Sequence, residues 1–324
     1  MNSDNSVNAL HLFPRDKQSG LSSAAMMRHV CYALIPGIIL QTFYVGLSVP
    51  TQIVLAIMAA VICETIVAVL RRRRLTALDV CTGLLTAMLL AVSVPATSPW
   101  WLIVTAVSFG LVLGKHIFGG VGMNIFNPAL VGFCAVYLSF PAEISHWPQS
   151  YIDVSDGFVM IFQSTGDKPL DNLTGATLLA SLKANGLTSI HSNTHWFINA
   201  AWLIGGIYLW LRKIADWRLS IYFVIGFIAL TVVFNAFRGS EISTVQHIGL
   251  GALIFTTCFI ITDPTTAATS PFGRLIYALL AALLAVIIRQ YSNMPDSMAF
   301  AVLLANMAAP MIDNYTRPQY VKST

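Results

Sequence analysis

Ten apolar windows succeed one another along this chain, at about 30–49, 52–70, 79–94, 99–114, 127–140, 195–211, 219–237, 246–261, 274–288 and 298–312. An α-helix needs about 20 such residues to cross a hydrocarbon core of about 30 Å. The pattern predicts an all-α polytopic membrane protein with about ten transmembrane helices. Composition points the same way. Of the 324 residues, 56% are hydrophobic and 10% are charged, against about 25% charged in a soluble domain. A water-facing globule cannot hide that much apolar surface, which excludes a soluble enzyme and a nucleic-acid module. The net charge of +4 is no phosphate-binding footprint, because the cations sort by membrane side.

With the N-terminus placed inside, fourteen of the 18 Lys and Arg fall on inside segments, among them Arg71–Arg74, Lys115, Arg212, Lys213 and Arg274. Lys168, Lys183, Arg238 and Arg289 fall outside. The positive-inside rule then puts both termini in the cytoplasm. The run Arg71–Arg74 directly follows a span and reads as a topology anchor. Residues 1–29 lack a short apolar core with a small-residue cleavage site, so no cleavable signal is expected. Cys31, Cys63, Cys81, Cys134 and Cys258 form no CxxC pair and read as small buried hydrophobes.

Five windows precede one long segment, 141–194, and five follow it. An odd number of spans per half predicts two halves, 30–140 and 195–312, inverted relative to each other, with a short tail at 313–324. A weak internal echo supports this. Gly83-Leu84-Leu85-Thr86-Ala87-Met88 runs on to Ser98-Pro99, and Gly251-Ala252-Leu253-Ile254-Phe255-Thr256 runs on to Ser270-Pro271. The third and fifth windows of both halves are short, which points to a site at the repeat interface.

Segment 141–194 is the outer loop in this topology and carries more acid than base. It contains Asp171-Asn172-Leu173-Thr174-Gly175-Ala176-Thr177, followed by Leu178–Ala184 and then Asn185-Gly186. These residues predict a short helix over Ala176–Ala184, with Thr174 as N-cap and Asn185-Gly186 as stop. Thr177 would lie in its first turn, where free backbone N–H groups favour a phosphate. From these residues alone, an ordinary capped surface helix and an anion-holding site both stay open.

Asp171-x-x-Thr174-Gly175-Ala176-Thr177 resembles the D-x-x-[ST]-G-A-[ST] motif at which a flavin transferase attaches FMN to threonine. In this setting the chain is similar to the family that holds the D subunits of Rnf (Rsx) electron-transport complexes and the B subunits of sodium-pumping NADH:quinone reductases. Further family-like stretches are Met27–Val30, Gly114–Gly122, Asn127-Pro128-Ala129, Thr262-Asp263-Pro264 and Asn306–Pro310. The resemblance implies covalent FMN, joined by a phosphoester to the Thr177 hydroxyl with FAD as donor. Asp171, Thr174, Gly175 and Ala176 would be the recognition motif. It also implies a non-covalent riboflavin between the helices. The implied partners are membrane lipid, the other Rnf subunits and a second FMN-carrying subunit on the same side. The complex would sit in the bacterial cytoplasmic membrane and couple ferredoxin and NAD electron exchange to ion movement. No residue is expected to be catalytic and none to hold a metal.

Glu64 lies inside the second window, where a carboxylate is costly and functional by default. A satisfied partner for Arg71 is the competing reading. Asp263 follows the eighth window and precedes Pro264. The family resemblance suggests both for the ion pathway. Gly119-Gly120-Val121-Gly122 lacks the third glycine of a dinucleotide loop and reads as a tight turn. His191 and His195 have i, i+4 spacing without an intervening acid, and read as an interfacial helix start before Trp196. The rival function is an inverted-repeat channel or transporter for a small solute. A channel has no reason to carry Asp171–Thr177 in this form.

Overall fold

The fold is described from a computed structural model, over residues 21–163, 173–177, 179, 181, 194–238, 242–292, 294 and 296–316. Among the described residues the regular structure is helical apart from one pair of two-residue strands. The first half holds α1 (Ser23–Val45), α2 (Ser48–Leu70), α3 (Ala77–Ser93), α4 (Trp100–Leu111) and α5 (Pro128–Ser139). Two short helices follow, α6 (Pro141–Ser145) and α7 (Val154–Phe162). The second half holds α8 (Thr194–Leu211), α9 (Trp217–Arg238), α10 (Thr244–Gly249), α11 (Leu253–Phe255), α12 (Pro271–Tyr291) and α13 (Met298–Thr316).

Polar residues set the helix starts. Thr76 and Asp79 form a reciprocal capping box on α3, and Ser243 and Gln246 form one on α10. Asn127 and Ser270 cap α5 and α12, each followed by a proline at the first helical position. Two helices run on through π-helical turns. The Ile117 N–H reaches back to the Val112 carbonyl at 2.9 Å, and the Ile261 N–H to the Thr256 carbonyl at 2.9 Å. The turns cover Val112–His116 after α4 and Thr256–Ile260 after α11.

Among the described residues, α1, α2, Trp217–Phe237 and α12 are long and apolar enough to cross a membrane. Ala77–Ser93, Trp100–His116 and Pro128–Ser139 are shorter apolar helices. The eighth window departs from a single span: it is broken at Leu250–Ala252 into α10, α11 and a π turn. Gly249 and Gly251 sit at that break, where helix propensity is poorest. The helix of the final window, α13, has 19 residues and runs past the window through Asp313 and Asn314.

Packing follows one scheme in both halves. Helix α2 lies on α4 and α4 on α5, as α9 lies on α12 and α12 on α13. The first helices of the halves, α1 and α8, pack on each other at backbone distance. A Cβ on Gly205 would run into the Ala33 carbonyl oxygen, and one on Gly37 would enter the Trp202 ring. Two buried clusters result. One joins α1–α5 to α8 and the second π turn, and the other unites α9, α12 and α13. Large apolar side chains such as Ile39, Phe43, Ile66, Val69 and Ile225 point outward. In water such a surface would seek a partner; on helices of this kind it is the face that meets lipid.

Candidate functional site

The Thr177 segment is built by contacts distant in sequence. Trp147–Pro148 pairs antiparallel with Thr174–Gly175, matching Trp147 to Gly175 and Pro148 to Thr174. The Gln149 N–H donates to the Leu173 carbonyl, and its side-chain amide donates to the Ala176 carbonyl, both at 2.9 Å. Upstream, the Ile152 N–H donates to the Val45 carbonyl at the end of α1, at 2.9 Å. Gly46 takes φ 113° there, and a Cβ on it would run into the Ile152 carbonyl oxygen. Glycine is the residue that tolerates both demands. Helix α7 then packs on α2, with Gly157 against the Ser48 hydroxyl.

This corrects the expected capping. Thr174 is a strand residue, and Ala176 and Thr177 are not helical. The Ser181 N–H donates to the Thr177 carbonyl at 2.8 Å, so the helical hydrogen bonding begins at Thr177. The pairing with Trp147–Pro148 claims the backbone that a Thr174 cap would have used. Ala176 is exposed and Thr177 half-buried. Asp171, most of the expected helix, and His191 lie outside the described residues.

Glu64 is 2% exposed, and its partner is not Arg71. Lys115, in the π turn after α4, donates from Nζ to Glu64 Oε1 and to the Thr82 hydroxyl, each at 2.7 Å. The same Nζ lies 3.6 Å from Asp79 Oδ1. His116 Nε2 is 3.2 Å from Glu64 Oε2. Arg73 grips Asp79 with both guanidinium nitrogens, at 2.5 and 3.1 Å. Arg71 instead donates to the His116 carbonyl. Lys115 is 1% exposed, so this is a buried charge network assembled from α2, α3 and the α4 end. Gly83, on the echoed sequence, faces the Glu64 side chain. Sequence reasoning missed Lys115, Thr82 and Asp79 as members. Their one signal was the Gly114-Lys115-His116 stretch.

Asp263 sits apart from the Glu64 network and has its own donors. It accepts from Asn127 Nδ2 at 3.0 Å, from the Thr265 N–H and hydroxyl at 3.0 and 2.8 Å, and from the Thr266 hydroxyl at 3.3 Å. Burial pushes its carboxyl above the usual range, and these donors only partly pull it back. The loop thereby ties the broken span of the second half to the start of α5 in the first.

A second buried cation lies on α12. Arg289, 2% exposed, donates to the His247 carbonyl at 2.7 Å and to Asp296 Oδ1 at 2.8 Å. Its guanidinium lies 5.1 Å from the Phe227 ring centroid, over the ring face. A Cβ on Gly251 would stand 2.5 Å from Arg289 Nη2. Burial raises the Asp296 carboxyl, but the Arg289 charge and hydrogen bonds from Ala252, Arg289 and Met298 outweigh it and hold the group below its usual range.

Residues 16–322 match the model of the NQR2, RnfD, RnfE family. The chain is similar to the D subunit of the ion-translocating oxidoreductase complex of Shewanella frigidimarina, 38% identical over 92% of this chain and 94% of that protein. The protein of the same description from Shewanella denitrificans is 37% identical over 93% and 94%. Its Salmonella typhi counterpart is 36% identical over 92% and 94%.

Proposed function

The chain belongs to the NQR2, RnfD, RnfE family, and from that premise we propose that it is the membrane subunit of an ion-translocating electron-transport complex that carries FMN on Thr177. The observation that carries this reading is the placement of Thr174–Thr177. The segment is held by the Trp147–Pro148 pairing and by Gln149, with the backbone beside Ala176 exposed. A modifying transferase needs a reachable hydroxyl and a fixed backbone to recognise; the strand pairing and Gln149 support the second, and exposed Ala176 beside Thr177 supports the first. The residues fit a phosphoester. Thr177 opens a helical turn, so N–H groups at that end favour the phosphate charge.

Bound flavin would supply one- and two-electron chemistry. The protein would hold the phosphate end at a set place over the outer end of α1 and α2. The 14-to-4 division of cations favours the outer side of the cytoplasmic membrane for this loop. A hydrocarbon core of about 30 Å would then separate Thr177 from cytoplasmic donors, so electrons would arrive through cofactors in partner subunits. Those partners are the other subunits of the complex, including a second flavin carrier, and the transferase that matures the site. The recurrent helix pairings support two related five-helix halves, which we read as inverted and as ten spans. Glu64 and Asp263 are the carboxylates we place on the ion path.

Thr177→Ala should abolish in-gel flavin fluorescence of the denatured subunit while leaving its membrane level unchanged. A fluorescent band of normal intensity from that variant would refute the assignment. Sidedness is tested at exposed Ser150. The five native cysteines are buried or half-buried, so Ser150→Cys should react with an impermeant thiol reagent added outside the cytoplasmic membrane. Labelling only after that membrane is opened would reverse the topology.

A further inference from the structure

The Glu64 network already contains a cation bound as an ion would be. Lys115 Nζ sits among Glu64 Oε1, Thr82 Oγ1 and Asp79 Oδ1, at 2.7, 2.7 and 3.6 Å. These oxygens come from α2 and α3, while the ammonium comes from a third element, the turn after α4. We propose that this oxygen cage is a binding site for a small monovalent cation, and that Lys115 is its tethered occupant, displaced when a free cation enters. The proposal rests on the reading of the chain as an ion-translocating subunit and names one site for that activity.

Four observations favour exchange over a fixed strut. First, Lys115 belongs to a π-helical turn, Val112–His116. Such turns hold one residue more than the α-helical path, and are found where a helix shifts register at functional sites. Second, the turn runs straight into open backbone. Gly119, Gly120 and Gly122 have φ of 110°, 121° and 86°, and nothing stands within 4 Å of a Cβ on Gly120. That run is the pivot the turn would use. Third, the surface of the fold is near: Ile117, two residues on, is 65% exposed, so a lysine stem could carry its ammonium out of the buried network. Fourth, His116 is 3% exposed; it points Nε2 at Glu64, and its Nδ1 has no hydrogen-bond partner among the described residues. A buried polar atom left unmet is costly in a settled network, and this one leaves His116 with a spare ring nitrogen beside the cage.

The charge count also suits exchange. Around the cage stand Glu64 on α2, Asp79 on α3, Arg73 on Asp79, Arg71 on the His116 carbonyl, and His116 itself. Helix α5, packed on the same turn, brings no charged side chain. With Asp79 held by Arg73, one negative charge at Glu64 remains for one positive occupant. A free cation entering with Lys115 in place would bury a surplus charge, so the two must alternate.

Sodium ion is the probe, and the assembled complex in sealed vesicles is the sample. Lys115→Gln removes the competitor, so the sodium concentration for half-maximal turnover should fall about tenfold. Lys115→Arg puts a planar fork in its place, which holds the carboxylate through two bonds; half-saturation should rise at least tenfold. Thr82→Val removes one cage oxygen without a charge change and should raise half-saturation several-fold, with Thr82→Ser restoring it. Half-saturation unchanged in Lys115→Gln or Thr82→Val overturns the proposal. So does turnover of the unaltered complex that is indifferent to sodium, or failure of Lys115→Gln to assemble in sodium-rich medium, which would make Lys115 a structural partner. Flavin fluorescence of the subunit, read in the same samples, reports separately on the Thr177 reading.

Discussion

Each half of the molecule buries one cation late in the helix that follows an Ala-Thr-Ser-Pro start, residues 96–99 in one and 268–271 in the other. They hold it in different ways. In the first half a lysine meets a carboxylate and a hydroxyl on neighbouring helices. In the second half an arginine spreads its guanidinium between the His247 carbonyl, Asp296 and the Phe227 face. A guanidinium is always charged, and its rigid fork makes a fixed bracket; an ammonium on a flexible stem has three rotatable donors and gives up contacts one at a time. The contrast teaches that similar packing can carry one half as a brace and the other as a working part.

The difference can be broken most forcefully at Asp296. Asp296→Ala leaves Arg289 buried with one partner gone, and should cost about 3 kcal/mol or more. The measurement is the thermal midpoint of the purified subunit and its level in membranes. Glu64→Gln keeps the shape of the side chain and leaves Lys115 with Thr82 and Asp79. It should cost less than Asp296→Ala, because Lys115 keeps the Thr82 hydroxyl at 2.7 Å and the Asp79 carboxylate at 3.6 Å and its flexible stem can settle on them. Equal losses would erase the distinction between brace and working part.

A smaller effect is expected at the echoed glycines. A Cβ on Gly251 would come within 2.5 Å of Arg289 Nη2, whereas one on Gly83 would come within 3.1 Å of Glu64 Cγ. Gly251→Ala must move a bonded guanidinium and should destabilise by about 1–3 kcal/mol. Gly83→Ala asks for a few tenths of an ångström from Glu64 and should stay below about 1 kcal/mol. Denaturant or thermal unfolding of the two variants side by side gives the ranking.

The smallest effect is on acid sensitivity. The Asp296 carboxyl is held below its usual range. Its contribution is therefore complete above the unfolded carboxylate value of about 4 and is lost as pH falls through the lower folded value. Asp263 has the opposite sign. Its folded value is raised, so it disfavours the fold above that value, and the penalty is relieved on acidification. The thermal midpoint of the subunit should drop below about pH 4, and Asp296→Asn should start lower and show a shallower drop.

Much of this architecture was legible because lipid imposes simple rules. Nine of the ten apolar windows correspond to single helices, with ends shifted by up to seven residues. The window at 246–261 misled because hydropathy counts apolar residues and is blind to the backbone cost of Gly249 and Gly251. The site was less legible. Arg71 looked like Glu64's partner because it lies two turns away on the same stretch of chain. The actual partner, Lys115, is 51 residues distant and meets it only once α2 and α4 have packed. Thr174 looked like a cap for the same reason. Local chemistry allowed it, and the strand Trp147–Pro148 took the backbone first.

Among the described residues, the contacts named above for the Thr177 segment come from one side. Trp147, Pro148 and Gln149 bind it to a stretch that Ile152 ties to the end of α1, and α7 rests on α2. All of these supports belong to the first half or to the loop that follows it. Thr177 therefore rides with that half as a passenger. If the halves shift against each other during turnover, its separation from α2 stays constant while its separation from α9 or α12 changes. The two distances make the subunit its own gauge of motion, with one leg fixed and the other free to report.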